Sequence, residues 1–369
     1  MDIHYLDNAA TTRVSTAAAA AVLDAMTENF GNPSSVHNLG IDAERVLRGG
    51  RESVARLMGC EPSELLFTSG GTESNNTALF RGIDANRRVG RHIITTLLEH
   101  PSVLECVKKL EQSGFEVTYL KPNADGSISL DELERSVRPD TALLSMMLVC
   151  NETGARLPVE DAAKILRRKS PDALVHVDAV QAFGKLRFSP KKLGADLVSV
   201  TAHKLHGPKG VGALYIRSGL RLTPLIYGGG QERALRSGTE PVPAIAGFGV
   251  ACDEAYAALD DTAAKLDALR ERTLAGVSAI YGVRVIASGE AIVALALPKY
   301  PSEVAIRLLE SRGVFVSGGS ACAKGHESHV LAAMQVEPKL IGSAIRVSFS
   351  RTNTEEDVDA LIAALREIA

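Results

Sequence analysis

Between residues 64 and 216 the sequence alternates short apolar runs with amphipathic segments. Runs of this length are typical of buried β-strands, and the segments between them have the apolar spacing of helices. Strands that alternate with helices favour a mainly parallel sheet covered on both faces, so we predict an α/β fold with a seven-stranded sheet. The predicted strands are 64–68, 92–98, 116–120, 141–149, 173–177, 196–200 and 211–216, and the predicted helices are 73–88, 102–112, 130–137 and 159–169.

The rest of the chain predicts a second, smaller α+β domain. A continuous helix from residue 248 to 280 is expected to lead into it. We expect residues 16–255 to form the large domain, and residues 1–15 together with 256–369 to form the small one. The predicted elements of the small domain are strands at 283–287, 291–297, 314–317 and 344–351 and helices at 302–312 and 354–369.

Composition excludes several classes of protein. With 41 Lys and Arg against 44 Asp and Glu, the net charge is −3, so no nucleic acid or anionic membrane is expected as a partner. No apolar run reaches the length of a membrane span, and the amino end lacks the pattern of a signal peptide. Five scattered cysteines argue against a disulfide framework and predict a reducing, cytoplasmic location.

Two charged residues follow predicted strands, where the loops of such a sheet converge and ligands bind. Lys204 comes after a buried strand, beside Thr201 and His203. A lysine in this position can lose its proton and act as an amine nucleophile, or its ammonium group can simply extend to water. Asp178 ends another strand, where a buried carboxylate requires a cationic partner unless it only caps a turn.

Other strand ends carry weaker signals. Gly71 and Thr72 open a predicted helix, whose amides either bind a phosphate or are capped locally. His100 follows the next strand, although a lone histidine is more often structural. Arg346 lies in an alternating strand, from which it can bind a carboxylate with both arms of its guanidinium group or lie exposed.

A glycine-bearing polar segment, Gly318-Gly-Ser-Ala-Cys-Ala-Lys-Gly-His-Glu-Ser-His-Val330, contains one thiol. Lys324 and His326 are expected to lower the pKa of Cys322 and favour a nucleophilic thiolate. Alternatively, Cys322, His326 and His329 form a metal site, which lacks an evident fourth ligand. The remaining cysteines, at 60, 106, 150 and 252, are expected to be packing residues.

The segment Ser199-Val-Thr-Ala-His-Lys-Leu-His-Gly-Pro-Lys-Gly210 resembles the cofactor-lysine segment of the cysteine desulfurases. These enzymes belong to the class V aminotransferase group of fold-type I pyridoxal-phosphate enzymes. The resemblance extends from Tyr5 to Arg351. The family usually shows two asparagines, often after a histidine, where this chain has Leu148 and Cys150 near Asn151.

The resemblance implies roles for individual residues. Lys204 would hold pyridoxal phosphate as a Schiff base, Asp178 would pair with its pyridine nitrogen, and His100 would stack over the ring. Gln181 would bind the phenolic oxygen, and Asn32 and Arg346 would hold the substrate carboxylate. The remaining cofactor contacts would come from Gly71, Thr72, Asn151, Thr201, His203 and, toward the phosphate bound by the other subunit, Thr239.

The resemblance also implies conversion of L-cysteine to L-alanine, with a persulfide on Cys322, by a homodimer that needs no metal. The sulfur would pass to an acceptor protein, either an iron–sulfur scaffold or a tRNA-thiolation enzyme. The alternatives are a selenocysteine lyase or another class V enzyme, a metal-binding protein that uses Cys322, His326 and His329, and a non-catalytic scaffold. The scaffold gives no reason for Lys204, Asp178 and Cys322 to occur together.

Overall fold

The computed structural model describes residues 2–319 and 327–369. Its first part alternates strands and helices as the sequence predicts. In chain order, the elements are β1 (His4–Tyr5), α1 (Thr16–Thr27), α2 (Asn38–Met58), β2 (Leu65–Thr68), α3 (Gly71–Ala85), β3 (His92–Thr96), α4 (Pro101–Gln112), β4 (Glu116–Leu120), α5 (Leu130–Ser136), β5 (Thr141–Ser145), α6 (Val159–Lys169), β6 (Leu174–Asp178), α7 (Pro190–Leu193), β7 (Leu197–Thr201) and β8 (Gly212–Ile216).

The main sheet has seven strands in the order β2-β8-β7-β6-β5-β3-β4. The pairs from β7 to β4 are parallel, and β8 is antiparallel to both of its neighbours. A short connection from β7 to β8 requires this reversal, because parallel strands need a long crossover. The predicted mainly parallel sheet is confirmed, with β8 as the exception. Every residue of β3, β5, β6 and β7 is buried, including the polar ones, as expected for strands that are covered on both faces.

Two predicted strands end earlier than expected. The strand predicted at 92–98 ends at Thr96, and the strand predicted at 141–149 ends at Ser145. Beyond Ser145 the backbone still follows β6, because Met146 N–H donates to His176 O at 3.1 Å and Leu148 N–H donates to Asp178 O at 2.9 Å. The apolar run therefore continues into the loop that borders the functional site.

The second part of the chain forms a smaller antiparallel sheet. Its elements are α8 (Val242–Ala257), α9 (Leu259–Ser278), β9 (Arg284–Gly289), β10 (Ile292–Ala296), α10 (Ser302–Glu310), β11 (Val314–Phe315), β12 (Ser317–Gly318), α11 (His329–Ala333), α12 (Pro338–Ile341), β13 (Ala344–Ser348) and α13 (Glu355–Ile368). The four-stranded sheet has the order β12-β13-β10-β9, and β11 pairs with β1 from the amino end. The single strand predicted at 314–317 is thus two short strands in different sheets.

The prediction of one continuous helix at 248–280 is wrong. Two helices, α8 and α9, meet at Ala258 with a bend of 75°. Leu259 packs in the core of the main sheet, whereas Leu266 and Leu269 pack in the core of the small sheet. The chain must turn here because its apolar residues are divided between two cores. Among the described residues, no single helix has the length and apolar character for crossing a membrane; only α8 and α9 reach them when taken together, and they are bent by 75°.

Leu6 from the amino end is buried in the core of the small sheet with residues of β10, β13 and α13. The core of the main sheet, in contrast, includes residues of α2, α6 and α8. The core of the main sheet also includes Val330, Leu331 and Met334. The division into a large domain of residues 16–255 and a small one of residues 1–15 and 256–369 stays a prediction.

Two glycines form a close backbone contact between the loop after β5 and the end of β9. A Cβ atom at Gly289 would overlap the carbonyl oxygen of Gly154, and a Cβ atom at Gly154 would overlap the carbonyl oxygen of Gly289. Gly154 also has a φ of 74°, a conformation that favours glycine. The contact fixes the loop that follows β5 against the small sheet.

We predict that Gly289→Ala lowers the free energy of unfolding by about 1–3 kcal/mol, because the new methyl group meets backbone atoms that cannot move aside. The control is Gly49→Ala in α2, where an added Cβ meets nothing within 4 Å. This control is expected to raise the free energy of unfolding by about 0.5–1 kcal/mol. Urea denaturation checks both values, and equal midpoints for Gly289→Ala and the wild type would contradict the contact.

Candidate active site

A cavity of about 250 Å³ lies at the carboxyl ends of the central strands of the main sheet. Its wall combines the loops that follow β5, β6 and β7 with the start of α3 and with one residue of the small sheet. The cavity therefore brings together most of the side chains that the sequence singled out. The predicted residues that line it are Gly71, Thr72, His100, Asn151, Asp178, Gln181, Thr201, His203, Lys204 and Arg346.

Lys204 ends a short 3₁₀ turn directly after β7. Its Nζ donates hydrogen bonds to Ala9 O and, at 2.6 Å, to Ala10 O. The Thr12 hydroxyl donates to His203 O at 3.0 Å and holds the same amino-terminal segment against the turn. Two backbone carbonyls of the amino-terminal segment thus help to position the lysine amine.

Asp178 is 6% exposed at the end of β6. Its Oδ2 accepts a hydrogen bond from Asn75 Nδ2 at 2.7 Å, and its Oδ1 accepts one from Val180 N–H at 3.0 Å. Both donors are neutral. They therefore provide hydrogen bonds to the carboxylate but do not balance its negative charge. Sequence reasoning missed Asn75, whose only signal was a polar residue one turn into a helix that starts at the phosphate-type turn.

His100 caps the amino end of α4. Its Nδ1 accepts the Ser102 backbone N–H at 3.1 Å and lies 2.8 Å from Ser102 Oγ, which in turn accepts from Asn75 Nδ2 at 2.9 Å. Because the backbone N–H can only donate, Nδ1 is an acceptor and the proton of the neutral ring lies on Nε2. Burial lowers the pKa of His100, and nearby Lys204 lowers it further, against the opposing effect of Asp178. The neutral ring is therefore favoured.

Arg346 is 1% exposed on β13, not on the surface. Its Nη1 donates to Asn151 O at 2.9 Å, and its Nη2 donates to Ser317 Oγ at 3.0 Å and Asp7 Oδ1 at 3.2 Å. Within the described residues, its buried Nε has no hydrogen-bond partner. The guanidinium group thus joins the cavity wall to the amino end and to the small sheet.

Gln181 lies between two cavities. Its Nε2 donates to Ala9 O at 3.0 Å, and its Oε1 accepts from Lys185 Nζ at 3.4 Å. Gln181 and Val149 also line a second cavity of about 270 Å³ behind the first, together with Lys185. Burial lowers the pKa of Lys185 to about 8. Sequence reasoning missed this buried lysine, although a charged residue in an apolar stretch was a signal.

The amino end of α3 has the features of an anion site. Its N-cap residue, Gly70, has a φ of 150° and provides no side-chain cap. The first amides of a helix have no partners within the helix, so they are suited to bind a phosphate group. Gly71 and Thr72 line the cavity at this point.

Two predicted site residues do not line the cavity. Asn32 is exposed, and its Oδ1 accepts the Ser34 N–H at 2.9 Å. Thr239 is also exposed, in a loop that an Arg236–Glu73 ion pair of 3.0 Å ties to α3. Their roles toward substrate and phosphate stay predictions.

Cys322 and His326 lie outside the described residues. Within residues 2–319 and 327–369, no group of three or more His, Cys, Asp or Glu side chains could hold a metal ion. His329, the third residue of the alternative metal site, lies 3.0 Å through Nε2 from Glu99 O. A carbonyl can only accept, so this nitrogen carries a proton and is not a ligand in this geometry.

The chain resembles known proteins over its whole length. The sequence profile of the family "Aminotransferase class-V" matches residues 4–361. Cysteine desulfurase IscS of Methanosarcina thermophila is 41% identical over 372 residues, which cover 99% of this chain and 91% of that protein. A solved NifS-like protein has a TM-score of 0.93 at 41% identity and covers 100% of this chain and 99% of its own. The structure of SspA in complex with cysteine has a TM-score of 0.81 at 33% identity, over 95% of this chain and 99% of that one.

The chain belongs to the aminotransferase class-V family, and within it to the cysteine desulfurases. The resemblance found in the sequence is thereby confirmed, as is the fold that it implied.

We predict that iodoacetamide reacts selectively with Cys322, because the four cysteines that the structure describes have raised pKa values. Burial raises the pKa of Cys60 to about 12 and that of Cys106 to about 11, and it also raises the pKa of Cys150 and Cys252. At pH 8 these thiols are protonated and react slowly. We expect mass mapping to find Cys322 labelled first, because its neighbours favour the thiolate. Labelling of Cys60 at the same rate as Cys322 would contradict this expectation, and Cys322→Ser provides the background rate.

Proposed function

We propose that this protein is a pyridoxal-phosphate-dependent cysteine desulfurase that converts L-cysteine to L-alanine and leaves the sulfur as a persulfide on Cys322. The observation that carries the proposal is that Lys204, Asp178, His100 and Arg346 line one cavity. An amine nucleophile, a buried carboxylate, an imidazole ring and a guanidinium group suit amino-acid chemistry on this cofactor. The cysteine bound to the similar protein SspA supports the choice of substrate.

The residues around the cavity fit pyridoxal phosphate. The buried Asp178 carboxylate has neutral described partners, and a protonated pyridine nitrogen would supply the missing positive charge. In the described part of the chain, buried Asn75 Oδ1 has no hydrogen-bond partner, so the cavity wall offers an unused acceptor. Gly71 and Thr72 would hold the phosphate with the amides of α3, and Lys204 would hold the ring. When bound, the cofactor supplies an electron sink for charge that develops at the substrate α-carbon.

Lys204 would move a proton, and His100 would donate a hydrogen bond. The Lys204 amine would take the α-proton of cysteine, and the carbonyl oxygens of Ala9 and Ala10 stabilise the resulting ammonium group. The Nε2–H of neutral His100 provides a fixed hydrogen-bond donor, because Ser102 holds the opposite nitrogen. General acid–base steps of this kind contribute roughly 100- to 10,000-fold in rate.

Arg346 would bind the substrate carboxylate on the wall of the same cavity, through the Nε that has no hydrogen-bond partner among the described residues. A carboxylate at this point would add to the charge of Asp7, which Arg346 already contacts at 3.2 Å. Arg346 would therefore bind two carboxylates, that of Asp7 in the folded chain and that of the substrate.

The Cys322 thiolate would attack the sulfur of the bound substrate. A sulfur–sulfur bond forms, the bond between Cβ and sulfur breaks, and its electron pair goes to Cβ. Protonation of Cβ gives the methyl group of alanine, and the sulfur stays on Cys322 as a persulfide.

A homodimer is also proposed. Six large apolar side chains within residues 23–41 are exposed in the isolated chain, which is typical of an interface. These residues are Leu23, Met26, Phe30, Val36, Leu39 and Ile41. Exposed Asn32 lies in the same stretch, so pairing of two copies would cover it. The sulfur acceptor, an iron–sulfur scaffold or a tRNA-thiolation enzyme, and the cytoplasmic location stay predictions.

The proposal predicts that the purified protein with L-cysteine and a reductant produces alanine and sulfide in equal amounts. Cys322→Ala should retain the absorption of the bound cofactor but lose both products by at least about 100-fold, because the nucleophile is gone. Lys204→Ala should lose turnover and the absorption of the lysine-linked cofactor. Alanine is quantified by chromatography and sulfide by a colorimetric assay.

The same assay separates the remaining enzyme classes. Equal turnover of selenocysteine by the wild type and Cys322→Ala, with none of cysteine, would indicate a selenocysteine lyase. Alanine formed from pyruvate and an amino donor would indicate an aminotransferase. A wild type that binds the cofactor but forms neither alanine nor sulfide would overturn the proposed substrate.

A further inference from the structure

A tight turn after β5 carries a buried carboxylate that the proposed reaction does not use. Glu152 is 2% exposed in this turn. Cys150 N–H donates to Ala155 O at 2.9 Å and closes the turn, and Gly154 packs against the backbone of Gly289. The Glu152 side chain therefore extends from a backbone with little conformational freedom.

Glu152 contacts the chain on both sides of the segment that contains Cys322. Its Oε2 accepts a hydrogen bond from Ser328 Oγ at 2.5 Å. The same oxygen would lie 3.2 Å from a Cβ atom at Gly319, and that Cβ would lie 3.4 Å from Ser328 Cβ. Gly319 and Ser328, which flank this segment in the sequence, therefore both lie beside the Glu152 carboxyl group.

Ser328 has two hydrogen-bond partners. Ser328 Oγ accepts the Leu331 N–H at 3.0 Å and so caps α11. Its own proton is donated to Glu152, so one hydroxyl joins the carboxyl group to the start of α11. Burial raises the pKa of Glu152 to about 7, while the Ser328 hydroxyl and the charge of Arg346 oppose this increase.

The same contacts connect the segment to the active-site cavity. Arg346, on the cavity wall, donates to Ser317 Oγ at 3.0 Å, two residues before Gly319. It also donates to the carbonyl oxygen of Asn151, the residue that precedes Glu152 and lines the cavity. The point where the segment starts and ends is thus attached to the wall of the cavity.

We propose that Glu152 is a positioning residue, which holds the two ends of the segment together at the cavity wall and so brings the Cys322 thiol within reach of the substrate sulfur. This inference rests on the proposed function, since it requires Cys322 to accept the sulfur. Cys322 is the third residue after Gly319, and three residues span at most about 10 Å. A displacement of the attachment point by even ~1 Å can reduce the rate about 100-fold.

The first test compares Glu152→Ala with Glu152→Gln. The alanine variant loses the acceptor for Ser328, whereas the glutamine amide oxygen can still accept the hydroxyl proton. In Glu152→Ala, the rate of persulfide formation on Cys322, followed by mass spectrometry, should fall about 10- to 100-fold. The affinity for pyridoxal phosphate and the cysteine-induced change in cofactor absorption should stay within about threefold. Glu152→Gln should retain persulfide formation within about threefold of the wild type.

Ser328→Ala removes the same hydrogen bond from the other side. If the two residues act as a pair, Glu152→Ala combined with Ser328→Ala should be no slower than the slower single variant. Asp253→Ala is a control, because it breaks a hydrogen bond of 3.0 Å between Asp253 and Ser53, neither of which lines the cavity. Circular dichroism and thermal unfolding verify that each variant is folded.

A second measurement does not depend on turnover. With a nitroxide label on Cys322, electron paramagnetic resonance should show greater label mobility in Glu152→Ala and Ser328→Ala than in Glu152→Gln and Asp253→Ala. Equal mobility and equal persulfide rates in Glu152→Ala and the wild type would overturn the positioning role. If the wild type itself forms no persulfide, the proposed function fails, and the label mobility alone decides whether Glu152 holds the segment.

Discussion

The buried guanidinium group of Arg346 connects the parts of the molecule on which the site depends. It joins Asn151 in the loop after β5, Ser317 in the small sheet and Asp7 near the amino end. A charge that is 1% exposed must be matched by such partners, because an unpaired buried charge is very costly. The amino end, the small sheet and the main sheet are therefore held in one arrangement around the cavity.

Hydrogen bonds of defined direction prepare the same cavity for proton transfer. Asn75 donates to both Asp178 and Ser102, and Ser102 holds the acceptor nitrogen of His100. These contacts set the tautomer of the histidine and the orientation of the carboxylate before any ligand binds. Preorganised groups of this kind favour catalysis, because they do not have to reorient during the reaction.

Much of the fold could be predicted from local patterns. Apolar runs in β3, β5, β6 and β7 indicated buried strands, since each of these strands is covered on both faces. The helix predicted at 248–280 was wrong because the division of its apolar residues between two cores is not visible in their spacing. The reversal of β8, in contrast, follows from the short connection to β7 once the two strands are known to be neighbours, and that pairing is a property of the tertiary structure.

The candidate site divides in the same way. Lys204, Asp178 and His100 were recognisable because each places a reactive group at the end of an apolar strand, where ligands of this kind of sheet bind. Three further residues were not recognisable from the sequence, namely Asn75, Lys185 and Glu152. An amide, a lysine or a carboxylate within a helix or turn is usually solvated. Only the packing of distant segments buries these groups and gives them partners, such as Ser328 for Glu152 across 176 residues of sequence. The sequence by itself thus determined which reactive side chains lie at the strand ends. The tertiary structure decided which other polar groups are buried and which partners they have.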